Sequence, residues 1–310
     1  MVKYVVERLI QAVVVVLLIA SITFLLMNLV PGGPFLSEKS PSPQVLAALE
    51  AKYGLDQPLP VQLKTYLTDF IHGDLGVSFK MQKNRPVLDI ITDMFPVSAR
   101  IGAFALIWAI LVGIPLGCIA AYHRGKKLDS FLRVLTTLGI SVPSFVVATS
   151  LMILFGVTWK LLPIVGLNSW MSYLLPCFSL GFYPMCYIAR LTRSSMLDVI
   201  NQEYIRTARA KGVPAVIIVF KHALRNSLIP VLSYLGPLVA FTLTGGFVVE
   251  SVFNIPGLGR YFIQSILNRD YPIIMGTTIF LASLLVFMNL VVDILYKFVD
   301  PRIDLSRRSN

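Results

Sequence analysis

The chain has 310 residues, of which 56% are hydrophobic and only 14% charged, with a formal net charge of +11. Its mean hydropathy is +0.75. Soluble globular domains carry about 25% charged residues, so this composition excludes an ordinary water-soluble core, and the length suits about six membrane spans of roughly 20 residues plus loops. The 3 cysteines (Cys118, Cys177, Cys186) lack CxxC spacing and the 3 histidines (His72, His123, His222) form no HExxH pair, which argues against a disulfide framework or a metal site.

The first span is expected at Leu9 to Val30, after Lys3 and Arg8. The run is longer than the 7–15 residue apolar region of a signal peptide. It closes on Pro31-Gly32-Gly33-Pro34 instead of a small-x-small cleavage site, so an uncleaved helix within residues 1–30 is expected. Residues 31–95 are mixed in polarity and read as a folded extracytoplasmic segment. Val45, Leu46, Leu49 and Tyr53 recur at helical spacing over Pro43 to Tyr53, and a second helix is expected over Val61 to Ile71. Pro58 and Pro60 separate the two.

Residues 96–300 read as a transmembrane domain. Its further spans are expected at about 97–122, 132–157, 171–189, 228–249 and 273–298. Pro143 lies inside the third, and Pro176 and Pro184 inside the fourth. A proline at such depth kinks a helix and frees a carbonyl that neighbouring helices must cover. Residues 190–227 are polar and basic. A turn-rich loop follows the fifth span, with Asn254-Ile255-Pro256-Gly257-Leu258-Gly259. Residues 301–310 form a short basic tail.

Six spans put both termini on one side. If that side is the cytoplasm, the N-terminus, the 122–133 loop, the 190–227 segment and the C-terminal end together hold 17 of the 27 Lys and Arg residues. The loops at 158–170 and 251–272 hold only Lys160, Arg260 and Arg269, while residues 31–95 balance their cations with Glu38, Glu50, Asp56, Asp69, Asp74, Asp89 and Asp93. Positive charge collects in cytoplasmic loops, so the chain is expected N-in and C-in. The net charge then requires no nucleic-acid partner.

Asn201 to Pro230 reads as two short helices joined by a break. Glu203 to Lys211 holds good helix formers, Gly212 suits a left-handed cap, and Pro214 suits the first turn of the next helix. Val216, Ile217, Phe220 and Leu224 mark one face of that second helix. Such a pair lies at a membrane surface or inserts into a partner's groove.

This stretch resembles the cytoplasmic coupling loop of type I ABC import permeases. Gly212 matches the family's glycine and Ala208 its last alanine. Arg206 and Thr207 stand where many members have Glu-Ala, and Arg225 follows Leu224 where they have proline. Those departures look like the peptide/nickel branch, whose loop reads much like Ile205-Arg-Thr-Ala-Arg-Ala-Lys-Gly212 and Lys221-His-Ala-Leu224. Nearly the whole chain shares the likeness, through Ile71-His-Gly-Asp-Leu-Gly76, Phe95-Pro-Val-Ser-Ala99, Pro143-Ser-Phe-Val-Val147, Val231-Leu-Ser-Tyr234, Ile255-Pro-Gly-Leu-Gly259, Leu267-Asn-Arg-Asp-Tyr271 and Val292-Asp-Ile-Leu-Tyr296. It is most like the first membrane subunit of oligopeptide permeases; Glu50-Ala-Lys-Tyr53 and Asn268-Arg-Asp-Tyr271 lean that way over dipeptide or nickel relatives.

The resemblance implies an all-α transmembrane fold in the bacterial cytoplasmic (inner) membrane, forming half of a translocation pathway for peptides. It implies a second related permease subunit, two P-loop ATPase subunits that hold ATP and Mg, and an extracytoplasmic substrate-binding protein, with membrane lipid around them. The chain has no GxxxxGK[ST] sequence, so no ATPase site or other cofactor is expected on it. Coupling to the ATPases is expected at Glu203, Tyr204, Arg206, Thr207, Ala208, Arg209, Lys211 and Gly212; the competing reading is a solvated basic loop held by anionic lipid. Pro143, Gly245, Gly246, Glu250 and Asn289 are candidates for the pathway or its entrance, against helix packing for the small residues, Gly139 among them, and a solvated helix end for Glu250. Asp293 reads as an interfacial pair with Lys297 at i+4. Import of dipeptides, nickel or another small solute is the alternative within the family. An ion-coupled secondary transporter would need ionisable relays at the span centres, which are nearly free of them.

Overall fold

The computed structural model describes residues 2–31, 33–35, 42–243 and 246–299, those at 2–5, 215, 221 and 292–299 by their backbone alone. Gly245, Glu38, the 301–310 tail and the side chains of Asp293 and Lys297 therefore lie outside the described residues. Those described are helices and connecting turns, apart from one isolated antiparallel bridge between Val77 and Pro86. Among the described residues five stretches are long and apolar enough to cross a membrane: Val6–Leu29, Val87–Tyr122, Trp170–Ile200, Ile229–Val252 (helical on either side of residues 244–246) and Tyr271–Val291. A further pair among the described residues, Lys127–Ser141 and Ser144–Thr158, is apolar enough only when taken together and turns by 100° between its halves, the geometry of a broken span or a re-entrant loop. The chain is thus an all-helical, multi-pass membrane protein.

The chain divides into two compact units. The first gathers Met1–Pro96 and Arg260–Leu290. Helices α1 (Val2–Leu29), α2 (Pro43–Lys52) and α3 (Leu59–Ile71) precede the start of α4 (Val87–Tyr122). The periodicity of residues 43–53 and 61–71 thus marks real helices; α3 opens with Pro60 in its first turn, where the missing N–H costs nothing. Phe24 of α1 stacks on Tyr66 of α3 at 5.5 Å, and Tyr53 packs on Phe79 at 4.3 Å. The loop between α3 and α4 is pinned by Asp270, which is fully buried. Its Oδ2 accepts from Ser78 Oγ at 2.6 Å, Lys80 N at 3.0 Å and Met81 N at 2.9 Å, and its Oδ1 accepts from Phe79 N at 3.0 Å. Burial and the nearby Arg269 guanidinium pull the Lys80 ammonium below its usual range, against the Asp270 carboxylate, which raises it.

The second unit is centred on Val97–Gly259. After α4 come α5 (Lys127–Ser141), α6 (Ser144–Leu151, continued as a wider π-helical turn over Met152–Thr158) and α7 (Leu174–Ile200). Helix α7 is the hub and packs against α5 and α6. Small residues bring the helices close. A Cβ on Gly117 of α4 would lie 2.6 Å from the Ala189 carbonyl of α7, and one on Gly139 of α5 would overlap the Cys186 thiol. Gly139 is therefore a packing residue. Helix α7 also runs eleven residues past the end of the apolar run at Ala189. Ala189, Thr192 and Met196 stay buried there while Arg190 is exposed, so an amphipathic extension carries the chain out of the apolar layer as helix.

Candidate coupling segment and pathway cavity

The basic stretch after α7 folds as α8 (Glu203–Ala210), α9 (Ala215–Ile217) with a π-helical continuation over Ile218–Ala223, and α10 (Leu224–Ser227). Glu203 sits in the first turn of α8 and Arg209 in its last, each complementing the helix dipole. The end of α8 is a Schellman cap. Gly212 has φ +73°, its N–H donates to the Arg209 carbonyl at 3.0 Å, and Val213 N–H reaches the Ala208 carbonyl at 3.2 Å. Pro214 follows as the cap of α9, where its carbonyl accepts from Ile218 N–H at 3.0 Å.

One side chain holds α8 down. Ile205 is 0% exposed and packs with Cys118 and Ala121 of α4, Met196 of α7, and Ile218, Val219 and Ala223. Ala208 is half-buried beside it, while Glu203, Tyr204, Arg206, Thr207, Arg209, Lys211 and Gly212 are exposed. Tyr204 OH accepts from Asn226 Nδ2 at 2.8 Å, tying α8 to α10. In the next segment Val216, Ile217 and Phe220 are exposed at 58%, 43% and 48%, beside the exposed face of α8. The π turn inserts an extra residue, so the buried stripe falls on Ile218, Val219 and Ala223, with Leu224 half-buried against it, and Val216, Ile217 and Phe220 face outward. The arrangement is a short polar helix rigidly seated on two membrane helices, with an apolar ledge next to it. A cavity of about 430 Å³ under α8 has Arg124 and Arg209 in its wall.

Asp129 lies at the opening of α5 and is 1% exposed. Arg193 of α7 grips it in a bidentate pair, Nε to Oδ1 at 2.7 Å and Nη2 to Oδ2 at 2.9 Å. Gly125 N–H adds a third bond at 3.0 Å, and Arg133 stands 3.7 Å away. The pair fastens the loop after α4 and the start of α5 to the helix that leads into α8.

The pathway candidates separate. Pro143 lies at the 100° break between α5 and α6, a far sharper turn than the kink expected of a single bent span. Pro143 and Gly246 line one cavity of about 610 Å³, together with residues of α7 and of α11 (Ile229–Leu243). Glu250 is on α12 (Phe247–Val252), and at 1% exposure it is neither a solvated helix end nor open to an entrance. Its carboxylate packs where a Cβ on Gly257 would sit, 2.6 Å from Glu250 Cδ. There it helps shape the turn in which Leu258 N–H donates to Ser98 Oγ at 2.8 Å. Asn289 is half-buried on α13 (Tyr271–Val299) in the first unit. Sequence reasoning missed Ile205 and the Asp129–Arg193 pair. Ile205 had a signal, as the one large aliphatic residue among EYIRTARA; the ion pair, 64 residues apart in the chain, had none.

A family described as the inner membrane component of binding-protein-dependent transport systems matches residues 113–305, and its N-terminal membrane-component counterpart matches residues 1–102. The chain belongs to this family. Relatives align along almost its whole length. The dipeptide transport system permease protein DppB of Bacillus subtilis is 45% identical over 99% of this chain and 100% of its own. The oligopeptide transport system permease protein OppB of Salmonella typhimurium is 40% identical over 98% and 99%. DppB of Lactococcus lactis is 41% identical over 98% and 100%. A solved chain of the methionine ABC transporter MetNI has the same fold with TM-score 0.56, at 17% identity over 69% of this chain and 97% of that one. As a family member with five to six apolar spans among its described residues, the chain is a multi-pass protein of the bacterial inner membrane.

Proposed function

We propose that the chain is one permease subunit of an ATP-driven peptide importer, forming half of a pathway that opens alternately to the two sides of the inner membrane. The observation that carries this reading is similarity at 40–45% identity over nearly the full length to permeases named for dipeptide and oligopeptide transport. The geometry supports it. A lever needs a rigid seat, and α8 has one in Ile205 and the Schellman cap. Its exposed face, with Glu203, Tyr204, Arg206, Thr207, Arg209, Lys211 and Gly212 and the Val216–Ile217–Phe220 ledge beside it, suits the groove of an ATPase subunit. ATP and Mg then belong to two partner ATPases, a second related permease completes the pathway, and an extracytoplasmic binding protein delivers cargo. Relatives of both names match about equally well, so the finer choice rests on residues 50–53 and 268–271. We take the cargo as oligopeptides on that ground.

The test is expression with the adjacent transport subunits, co-purification and reconstitution. Recovery with two ATPases and a second permease, with peptide-stimulated ATP hydrolysis, is expected; a series from two to six residues long separates the two cargo classes by uptake rate. Transport by the chain alone would refute the reading.

A further inference from the structure

Three prolines from three helical segments meet at the 610 Å³ cavity: Pro143 between α5 and α6, Pro184 of α7 and Pro237 of α11. Pro184 and Pro237 lie inside α7 and α11 and lack the N–H that would satisfy the Leu180 and Ser233 carbonyls, and Pro143 stands at the break as the N-cap of α6. The wall also carries the hydroxyls of Ser141, Ser144, Tyr183 and Tyr234, and no Asp, Glu, Lys, Arg or His among the described residues. Tyr183 is 40% exposed, and Tyr234 packs at a tilt on Tyr187 at 4.3 Å, holding the α11 side of the wall against α7. The volume lies within the range of about 300–1,000 Å³ typical of small-ligand sites.

On the peptide-import reading above, we propose that this cavity is a neutral subsite through which the peptide passes, engaging its backbone and leaving its side chains unread. An extended peptide brings N–H donors and C=O acceptors in alternation. The lining hydroxyls answer both, because each donates one hydrogen bond and accepts others. A lining without fixed charge neither attracts nor repels an ionised side chain, and in a low-dielectric setting one fixed charge would dominate that choice. A lipid chain would gain nothing from the hydroxyls. A static seat for the second permease would not need two helices weakened by proline beside a 100° break, whereas a pathway that changes shape does. Where these helices do pack permanently, they use Gly113, Gly117, Gly139 and Gly181.

Ser144 is half-buried at the first position of α6, where an acid is compatible with the helix N-terminus. The experiment uses the complete transporter in proteoliposomes with saturating loaded binding protein, and three peptides of equal length with a central Gly, Lys or Glu. Wild-type uptake rates are expected within about twofold of one another. Ser144→Asp is expected to slow the Glu peptide about tenfold and spare the Lys peptide, Ser144→Lys to reverse that order, and Ser144→Asn to leave all three alike. Equal slowing of all three peptides by both charged variants, or no effect of either, overturns the subsite. So does loss of the second permease on co-purification of the charged variants, which would mark the cavity as a subunit seat. Failure of the wild type to import any of the three overturns the peptide reading itself, and the subsite with it.

Discussion

Replacing Ile205 by alanine tests the lever most directly. Ile205 is the sole buried residue of α8, and the substitution removes three buried carbons. At about 0.8 kcal/mol per methylene this is about 2.4 kcal/mol of transfer free energy, and the cavity left among Met196, Ile218 and Ala223 adds to it, within the 2–5 kcal/mol range of such truncations. The remaining ties are the half-buried Ala208 and the exposed Tyr204–Asn226 bond, which contributes at most about 1 kcal/mol. A loss of that size moves the seated-to-loose ratio of α8 by about 30-fold or more, since 1.4 kcal/mol is tenfold. The spans themselves do not depend on this contact, so the variant should insert and assemble. In reconstituted transporter, peptide imported per ATP hydrolysed should fall several-fold while ATP hydrolysis persists. An unchanged ratio in a complex of normal stoichiometry would refute the seating of α8 as the means of coupling.

Gly212 sits at φ +73° with open space around it, so substitution there acts through backbone strain of about 1–2 kcal/mol for most side chains. Gly212→Ala and Gly212→Asp should both reduce import per ATP, and Gly212→Asn, which tolerates the left-handed region, should do so least; equal effects would show that the cap geometry is not what matters. Asp270→Asn forces an NH2 group against at least one of four donors, leaving a buried N–H unsatisfied at about 1–3 kcal/mol. Trypsin cleavage at Lys80 and Lys83 of the detergent-solubilised protein should accelerate, and an unchanged digestion rate would contradict the pinning of that loop by Asp270.

The fold of the α8 segment was legible because its signals are local. A helix-forming run, a glycine able to adopt positive φ and a following proline fix α8 and its end within a dozen residues. Periodicity likewise marked α2 and α3 in the segment after the first span. What the chain did not announce depended on partners far away in sequence. Glu250 reads as a charge at a helix end, and only the return of Gly257 and Gly259 buries it. The basic stretch from Arg190 reads as loop, yet contact with α5 and the pairing of Arg193 to Asp129 keep it helical. The exposed and buried faces after Pro214 depend on a π turn that periodicity alone cannot foresee.

Composition and charge therefore determined the class of this protein: apolar runs too long for a soluble core, and cations gathered in alternate connecting segments. Those properties are sums over residues and survive any arrangement of them. The seat of α8, the grip of Arg193 on Asp129 and the meeting of three prolines at one neutral cavity are pairings between segments tens of residues apart. Only the packing of α4, α5, α7 and α11, close enough to need glycine at the contacts, decided those.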